Sequence, residues 1–505
     1  MAGKVYLVGA GPGDPGLITV SGKACIENAD VLIYDYLASP SLLRYAEDSA
    51  EKIYVGKKGG DHTLSQDGIN ALIVEKAKAG LTVTRLKGGD PFIFGRGGEE
   101  AEVLIDAGIA FEIVPGVTSA IAAPAYAGIP LTHRQYTSTV AFITGHEDPA
   151  KDVSSIDWSS LARGIGTLVF LMGVKNLPEI VKRLIQNGRS SKTPAAVVRW
   201  GTTSRQKTVS GTLENIAQKV QEAELKAPAI IIVGEVVTLR DKMKWFENRP
   251  LLGKKIVVTR AREQASDLVE KLTGLGADVI ECPTIKIVPA ENAVPLEKAV
   301  LQLSKYDWLV FTSVNGVKYF FNFLFAKGFD ARALGHIKTA AIGPVTAQAL
   351  LKYGINTDVI PESYRAESVV QAFAGIELTG KRVLLPRAAD ARPVLPVELG
   401  KAGALVDEVI TYRTCQDTEN AGELIESLKN NGIDMVTFTS SSTVRNFKGL
   451  LPGDNFSDLM QNVTIACIGP ITAETARETG FDPEIVAETF TIPGLCESIK
   501  SYYQR

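Results

Sequence analysis

Metal-binding side chains are scarce: the 505 residues hold five cysteines, at 25, 282, 415, 467 and 496, and four histidines. No two cysteines form a CxxC pair, which argues against zinc and iron–sulfur frameworks. Long apolar runs are missing too. The most apolar stretches, around Ala120–Leu131 and Ala227–Val237, are broken by proline or charge and fall short of the ~20 residues that a spanning helix needs. The first residues show neither a signal-peptide apolar region nor a cleavage motif, which predicts a cytoplasmic protein away from membranes. Neither sign of charge dominates: 54 Lys and Arg against 57 Asp and Glu leave −3. That balance gives no basis for a nucleic-acid footprint over the whole molecule, yet it leaves room for a local basic cleft. The 46 Gly and 24 Pro are too few for a collagenous or low-complexity chain.

Apolar residues make up 45% and charged residues 22%, the balance of a soluble α/β protein. The length predicts roughly three to four domains. Short β-branched strands alternate with helical runs. Val5–Val8, Val31–Tyr34, Thr82–Leu86, Phe111–Val114, Thr139–Thr144, Thr167–Met172, Ala195–Arg199 and Ala229–Val233 read as strands. Segments 65–79 and 97–107 read as helices, the second stopped by Gly108. A polar segment over 241–254, with Trp245, Phe246 and Pro250, precedes a new strand at Lys255–Arg260, and the main boundary is placed there.

The second half contains an internal duplication. Gly253-Lys-Lys-Ile-Val-Val-Thr-Arg260 returns as Gly380-Lys-Arg-Val-Leu-Leu-Pro-Arg387, and Phe311-Thr-Ser-Val-Asn-Gly-Val317 as Phe438-Thr-Ser-Ser-Ser-Thr-Val444, both 127 positions later. Ile342-Gly-Pro-Val-Thr-Ala347 returns as Ile468-Gly-Pro-Ile-Thr-Ala473, 126 later. Each copy is longer than a solenoid unit, so two similar α/β domains are expected, with a ligand between them or with no function attached to the repeat.

In the first half, Gly9-Ala-Gly-Pro-Gly-Asp-Pro-Gly16 follows a strand and departs from the dinucleotide fingerprint. The position of the last glycine of that motif holds Asp14, and Pro12 and Pro15 interrupt the helix start. An aspartate here repels pyrophosphate, so a neutral or cationic adenosyl ligand fits better; a tight structural turn is the plainer reading. Lys87-Gly-Gly-Asp-Pro-Phe-Ile-Phe-Gly-Arg-Gly-Gly98 and Pro115-Gly-Val-Thr-Ser-Ala120 also follow strands. Three such loops imply a ligand along one sheet edge, with Thr118 and Ser119 offering a helix cap or hydroxyls.

The combination GAGPGDP (9–15), YD (34–35), VGKK (55–58), GGDPFIFGRG (88–97) and PGVTS (115–119) resembles the uroporphyrinogen-III C-methyltransferases over about residues 3–245. The resemblance implies a two-lobed tetrapyrrole-methylase fold, its lobes meeting near 115–140, acting as a homodimer on uroporphyrinogen III with S-adenosyl-L-methionine, and releasing S-adenosyl-L-homocysteine. It places the cofactor against Pro12, Gly88, Gly89, Asp90, Ile93, Thr118, Ser119, Met172 and Gly201. It also makes Asp35 the proton acceptor and Lys57 the donor. The donor's sulfonium is already activated, so the protein supplies alignment and proton management, and a methylated pyrrole must lose a proton to a carboxylate. Alternatives stay open: Asp35 as a turn cap, and Lys57 or Lys58 as a solvated charge or a partner of a substrate carboxylate. Asp90 reads better as fixing its own glycine turn or orienting the cofactor than as an acid or base. Arg96, Arg134, Lys87 and His133 are candidates for the substrate's eight carboxylates. His133 and His146 lack a third partner, so no metal is expected.

Residues 254–505 resemble uroporphyrinogen-III synthase through LLGKKIVVTR (251–260), FTSVNGV (311–317), AIGPVTAQAL (341–350), LLPRA (384–388), TYRT (411–414), FTSSSTV (438–444) and CIGPITAETA (467–476). This implies a duplicated two-domain α/β synthase fold behind a linker at 246–253, one lobe from about 254–288 plus 414–505 and the other from 289–413. The reaction implied is closure of hydroxymethylbilane with loss of water and inversion of the last ring. Tyr412 is the candidate for assisting hydroxyl departure, or else an interdomain strand residue. Thr259, Arg260, Ser313, Asn315, Thr346, Arg387, Thr439 and Ser440–Ser442 are candidate substrate contacts. Gly343-Pro344 and Gly469-Pro470 read as turns ahead of helices, and Cys415 and Cys467 as core residues at strand ends. The whole is thus α/β throughout, a bifunctional enzyme whose partners are small tetrapyrroles. The alternatives are an active methyltransferase with a non-catalytic, tetrapyrrole-binding or scaffolding second half, and a ligand-binding module in that half.

Overall fold

The computed structural model describes residues 3–56, 64–146, 155–260, 262–361, 366–373, 375–391, 393–418, 421–452 and 456–504. The chain divides into two compact units, Met1–Ile256 with Glu270–Val279 and Ile499–Arg505, and Val257–Val269 with Ile280–Ser498. No helix among the described residues is long and apolar enough to cross a membrane.

The first unit carries two five-stranded sheets. Strands β1 (Val5–Gly9), β2 (Val31–Tyr34), β3 (Glu51–Tyr54), β4 (Val83–Lys87) and β5 (Phe111–Val114) form the first, in the order β3-β2-β4-β1-β5. All four neighbouring pairs are parallel. Parallel strands are covered on both faces and read as apolar runs; accordingly Val5, Leu7, Val31 and Ile33 pack on one side of the sheet and Val8, Leu32 and Leu86 on the other. The second sheet contains β6 (Val140–Thr144), β7 (Thr167–Leu171), β8 (Pro194–Arg199), β9 (Lys207–Thr212) and β10 (Ala229–Val233), ordered β6-β7-β10-β8-β9. Here only β6 and β7 are parallel; β10 runs against both neighbours, and β9 against β8.

The strands of the duplication lie in the second unit, apart from Lys255–Ile256 and Asp278–Val279, which group with the first. Strands β11 (Lys255–Val258), β12 (Asp278–Glu281), β13 (Ile285–Pro289), β14 (Trp308–Phe311), β15 (Lys338–Ala341), β16 (Arg382–Ala388), β17 (Leu405–Gln416), β18 (Met435–Phe438), β19 (Thr464–Cys467) and β20 (Pro483–Val486) make sheets ordered β12-β11-β18-β19-β20 and β13-β17-β16-β14-β15. In each sheet the Gly-Lys strand lies beside the Phe-Thr-Ser strand, which lies beside the Ile-Gly-Pro strand. Even β20 has its counterpart, a parallel bridge between Ala340 and Val359. The equivalence extends to the caps: Ser313 and Ser440 both start helices in extended backbone with the hydroxyl accepting a first-turn N–H, and Gly343 and Gly469 both precede a proline at a helix start. The limits expected near 288 and 414 fall inside β13 and β17, which pair antiparallel from Ile285↔Gln416 to Pro289↔Tyr412.

Burial pushes the Cys282 thiol up to about 11 and the Cys467 thiol up to about 12. Burial, then a hydrogen bond to Asp407, pushes the Tyr306 phenol up to about 12. These groups favour the neutral folded form. Their contribution is complete below the ordinary thiol and phenol values of about 8.5 and 10 and is lost as pH rises through the folded values. The urea midpoint of the second unit is therefore expected to fall steadily from about pH 9 towards 12, less steeply in Cys467→Ala; a flat profile contradicts this.

Candidate functional site

In an all-parallel sheet every strand ends on the same edge, where the chain must turn and backbone groups are free to meet a ligand. The loops after β1, β4 and β5 are joined there through their backbones. Gly11 and Gly89 exchange hydrogen bonds, with N···O distances of 3.2 and 2.7 Å. A Cβ on Gly9 falls 2.4 Å from the Gly116 Cα, and one on Gly116 falls 2.3 Å from the Gly89 oxygen. Only glycine permits this approach, and Gly89 further needs its φ of +73°. The Asp90 carboxylate completes the joint: Oδ1 accepts from the Phe92 and Ile93 amides at 2.8 and 3.0 Å, and Oδ2 from Gly116 at 2.9 Å. With three backbone donors Asp90 ties these loops together. Thr118 caps the helix Ser119–Tyr126, its hydroxyl accepting from the Ala120 amide.

These loops form one wall of a cavity of about 720 Å³. The second sheet supplies the opposite wall from the ends of β6, β7 and β8 and the start of β10: His146, Met172, Trp200, Gly201 and Ala229. Tyr36 and Trp200 meet edge-on across it at 5.8 Å. Phe94, Met172 and Trp200, all on the cavity, have positive φ of 53°, 58° and 48°, a costly backbone state typical of ligand sites.

Behind this edge lies a charged group. Arg85 and Lys87 are 3% and 4% exposed and Glu100 is 1% exposed. Lys87 Nζ lies 2.6 Å from Glu100 Oε1, and Arg85 reaches the same oxygen at 3.4 Å and Asp35 Oδ2 at 3.3 Å. Burial, then the neighbouring Arg85, lowers the Lys87 pKa. Lys87 is thus committed to Glu100, which corrects its reading as a substrate cation. Asp35 Oδ1 also accepts from the Leu37 amide at 3.0 Å, so Asp35 caps its turn and still faces the cavity.

Pro12, Asp35, Gly88, Gly89, Asp90, Ile93, Thr118, Ser119, Met172 and Gly201 all line this one cavity. Lys57 and Lys58 lie outside the described residues. Arg96 is not among the lining residues; its guanidinium bridges Glu99 at 2.6 Å on the exposed first turn of its helix. Exposed Arg134 is likewise not among them. Nor is His133, whose Nδ1 accepts from the Gln135 amide. No cluster of metal-ligating groups occurs among the described residues. Sequence reasoning missed Tyr36, Tyr54 and Trp200, aromatics at or just past strand ends. A flat adenosyl group fits such glycine-backed, aromatic walls, and of the two carboxylates that line the cavity among the described residues, Asp90 is taken up by three backbone amides and Asp35 by one amide and Arg85.

In the second unit, Tyr412 on β17 is 7% exposed and its hydroxyl lies 3.0 Å from Ser313 Oγ. Tyr319 stacks on it at 5.7 Å, and burial raises its pKa. Arg387, on neighbouring β16, pairs with Glu408 at 2.5 Å. Half-buried Asn315 and 4%-exposed Thr346 sit in the first turns of their helices. Arg260 follows β11, and Thr439 and the capping Ser440 follow adjacent β18. Thr259 is spent on the Thr437 carbonyl at 2.8 Å. Cys467 is buried at the end of β19, while half-buried Cys415 accepts from Arg413.

Fold and site define a two-lobed methylase continued by a duplicated synthase-type fold. The family of tetrapyrrole (corrin/porphyrin) methylases matches residues 4–217, and uroporphyrinogen-III synthase HemD matches residues 266–497. The porphyrin biosynthesis protein HemD of Ruminiclostridium josui is 40% identical over 498 residues, covering 98% of this chain and 97% of that protein. The S-adenosyl-L-methionine-dependent uroporphyrinogen III methyltransferase of Methanosarcina barkeri is 56% identical over 239 residues, 47% of this chain and 94% of its own. The crystal structure of uroporphyrin-III C-methyl transferase from Thermus thermophilus with S-adenyl homocysteine matches at 40% identity and TM-score 0.41, covering 47% of this chain and 100% of that one. The chain therefore belongs to the family of HemD-type porphyrin biosynthesis proteins in which a tetrapyrrole methylase and a uroporphyrinogen-III synthase domain are fused.

Proposed function

We propose that this chain closes hydroxymethylbilane to uroporphyrinogen III, with loss of water and inversion of the last ring, and then methylates that product twice, at C2 and C7, to precorrin-2. The observation that carries the reading is the gathering of ten residues, from six separate segments, around one glycine-backed cavity. S-adenosyl-L-methionine supplies an already activated methyl group. Gly88, Gly89, Thr118, Ser119, Met172 and Gly201 hold it, and Asp35 accepts the proton released from the substituted pyrrole carbon. Lys57 is assigned the complementary donor role, and Arg96 and Arg134 meet substrate carboxylates. The methyltransferase is assigned to 1–245, as a homodimer, and the synthase to 254–505.

In the synthase, Tyr412 donates its phenolic proton towards the departing hydroxyl. Burial keeps the phenol protonated, and Ser313, 3.0 Å away, orients it. Asn315, Thr346, Arg387, Arg260, Thr439 and Ser440 receive the substrate's carboxylates. Ser313→Ala removes both this partner and the cap on the Gly316 amide. It is expected to cost about 1 kcal/mol of stability and to slow ring closure several-fold, with methyl transfer unchanged. Unaltered closure means Tyr412 is oriented without it.

The test is product analysis, after oxidation, of protein given fresh hydroxymethylbilane with and without S-adenosyl-L-methionine. Type III product that gains two methyl groups with the cofactor supports both assignments. Methylated type I product alone leaves an active methyltransferase with a non-catalytic second half. No methylation, even of added uroporphyrinogen III, overturns the reading.

A further inference from the structure

Trp200, Gly201 and Thr203 line the cavity, and the backbone that presents them is strained: Trp200 and Thr202 have φ of 48° and 72°. Such a turn persists only where its surroundings over-determine it. Here the restraint comes from a side chain that does not touch the cavity. Gln206, 5% exposed, accepts the Thr202 amide at 2.9 Å through Oε1. Its Nε2 donates to the Tyr126 carbonyl at 3.2 Å and to Glu247 Oε1 at 2.9 Å. An N–H on one side and a carboxylate on the other leave only this orientation of the amide.

Glu247 is held in turn. Thr208 donates to Oε1 at 2.6 Å, and Arg240, 9% exposed, donates to Oε2 at 2.5 Å and to the Ala127 carbonyl at 2.7 Å. Tyr126 and Ala127 end the helix whose first turn carries Thr118 and Ser119 on the opposite side of the cavity. The hub therefore grips the loop and the far end of that helix at once. It reaches the glycine-rich loop as well: the Asp14 amide donates to Thr202 Oγ1 at 3.1 Å, and the Tyr126 hydroxyl to Asp14 Oδ2 at 2.8 Å. There is no slack in this spacing, since a Cβ on Gly201 falls 2.4 Å from the Ala123 Cβ.

We infer that Gln206, backed by Glu247 and Arg240, is a positioning residue for the methyl donor: it sets the separation of the Trp200–Thr203 loop from the Thr118–Ser119 turn and so governs cofactor affinity without contacting the cofactor. The inference rests on the methyltransferase reading above. Q206E changes little in shape, but it sets two carboxylates against each other and removes both donated bonds.

On the full chain, Q206E is expected to raise the dissociation constant for S-adenosyl-L-homocysteine, by calorimetry, about tenfold or more. The KM for S-adenosyl-L-methionine is expected to rise in parallel, with kcat at saturating cofactor within about threefold of wild type. The exchange Q206E/E247Q recreates a donor–acceptor pair and is expected to recover most of the affinity, which a merely destabilised fold does not do. Q206E that is folded and binds as wild type overturns the inference, as does loss of kcat with KM unmoved or an exchange no better than Q206E. Should Q206E not fold, E247Q alone decides by the same two constants: weakened binding supports the inference and wild-type binding overturns it. Wild-type protein that binds no S-adenosyl-L-homocysteine removes the methyltransferase reading and this inference together, whereas wild-type binding with an indifferent Q206E removes only the inference.

Discussion

Asp35→Asn is expected to lower kcat for methyl transfer to uroporphyrinogen III by roughly 10²–10⁴ while S-adenosyl-L-homocysteine binds as before. Two acids line the cavity among the described residues, Asp35 and Asp90. Asp90 is occupied by three backbone amides, which leaves Asp35 to take up a proton. Its side chain is 27% exposed, so a substrate carbon can approach it. Asparagine keeps the oxygen that accepts the Leu37 amide, so the turn survives, while the proton-accepting capacity and the ion pair with Arg85 are lost. Single-turnover rates with calorimetric binding separate the two. A variant with the wild-type rate reduces Asp35 to a turn cap.

Glu100→Leu is expected to destabilise the first unit by about 3–5 kcal/mol, the cost of leaving buried charge uncompensated. Glu100 is the anion common to Lys87 and Arg85, and Gln66 adds a donor at 3.2 Å. Without it Asp35 is the one acid left beside the two buried cations among the described residues. The deficit depends on pH, with a sign that can be worked out. The folded-state pKa of Lys87 is already lowered, and the variant lowers it further. Between that value and the ordinary lysine value near 10.4 the unfolded chain binds more protons, so stability rises with pH. The loss should therefore shrink as pH climbs towards 10. Urea midpoints at pH 7 and 9.5 test it, and Lys87→Met/Glu100→Leu should regain much of the loss at pH 7. A loss below about 1 kcal/mol, the scale of a surface pair, contradicts the burial argument.

The difference between Lys87 and its neighbours Gly88 and Gly89 also shows what a sequence can carry. A glycine loop after a strand is a local statement, so the three loops were legible, as was the duplication, whose repeated strands and caps are copied segment by segment. Lys87 looks available in sequence because its neutralising partner lies 13 residues on, in a helix. Its burial follows from β4 lying between β2 and β1. In the first unit the strands missed were β3 and β9. Both are edge strands with exposed or half-buried residues, and neither carries an apolar run. The direction of β10 is equally invisible, because a buried strand is apolar whichever way it runs. Gln206 gave no signal at all: two of its three partners lie 80 and 41 residues away.

One strand carries a consequence for how the protein is made. β11 takes its place beside β18, and the Thr437 hydroxyl bonds the Val257 carbonyl across 180 residues of chain. At synthesis rates of about 5–20 residues per second, β11 leaves the ribosome on the order of ten to forty seconds before its neighbour exists. The intervening sheet β13-β17-β16-β14-β15 draws wholly on residues 285–416, so its strands are all available in that interval. The duplicated sheets are therefore finished out of order, the middle of the chain ahead of its flanks, and a ribosome stalled before residue 435 displays an apolar strand still waiting for its mate.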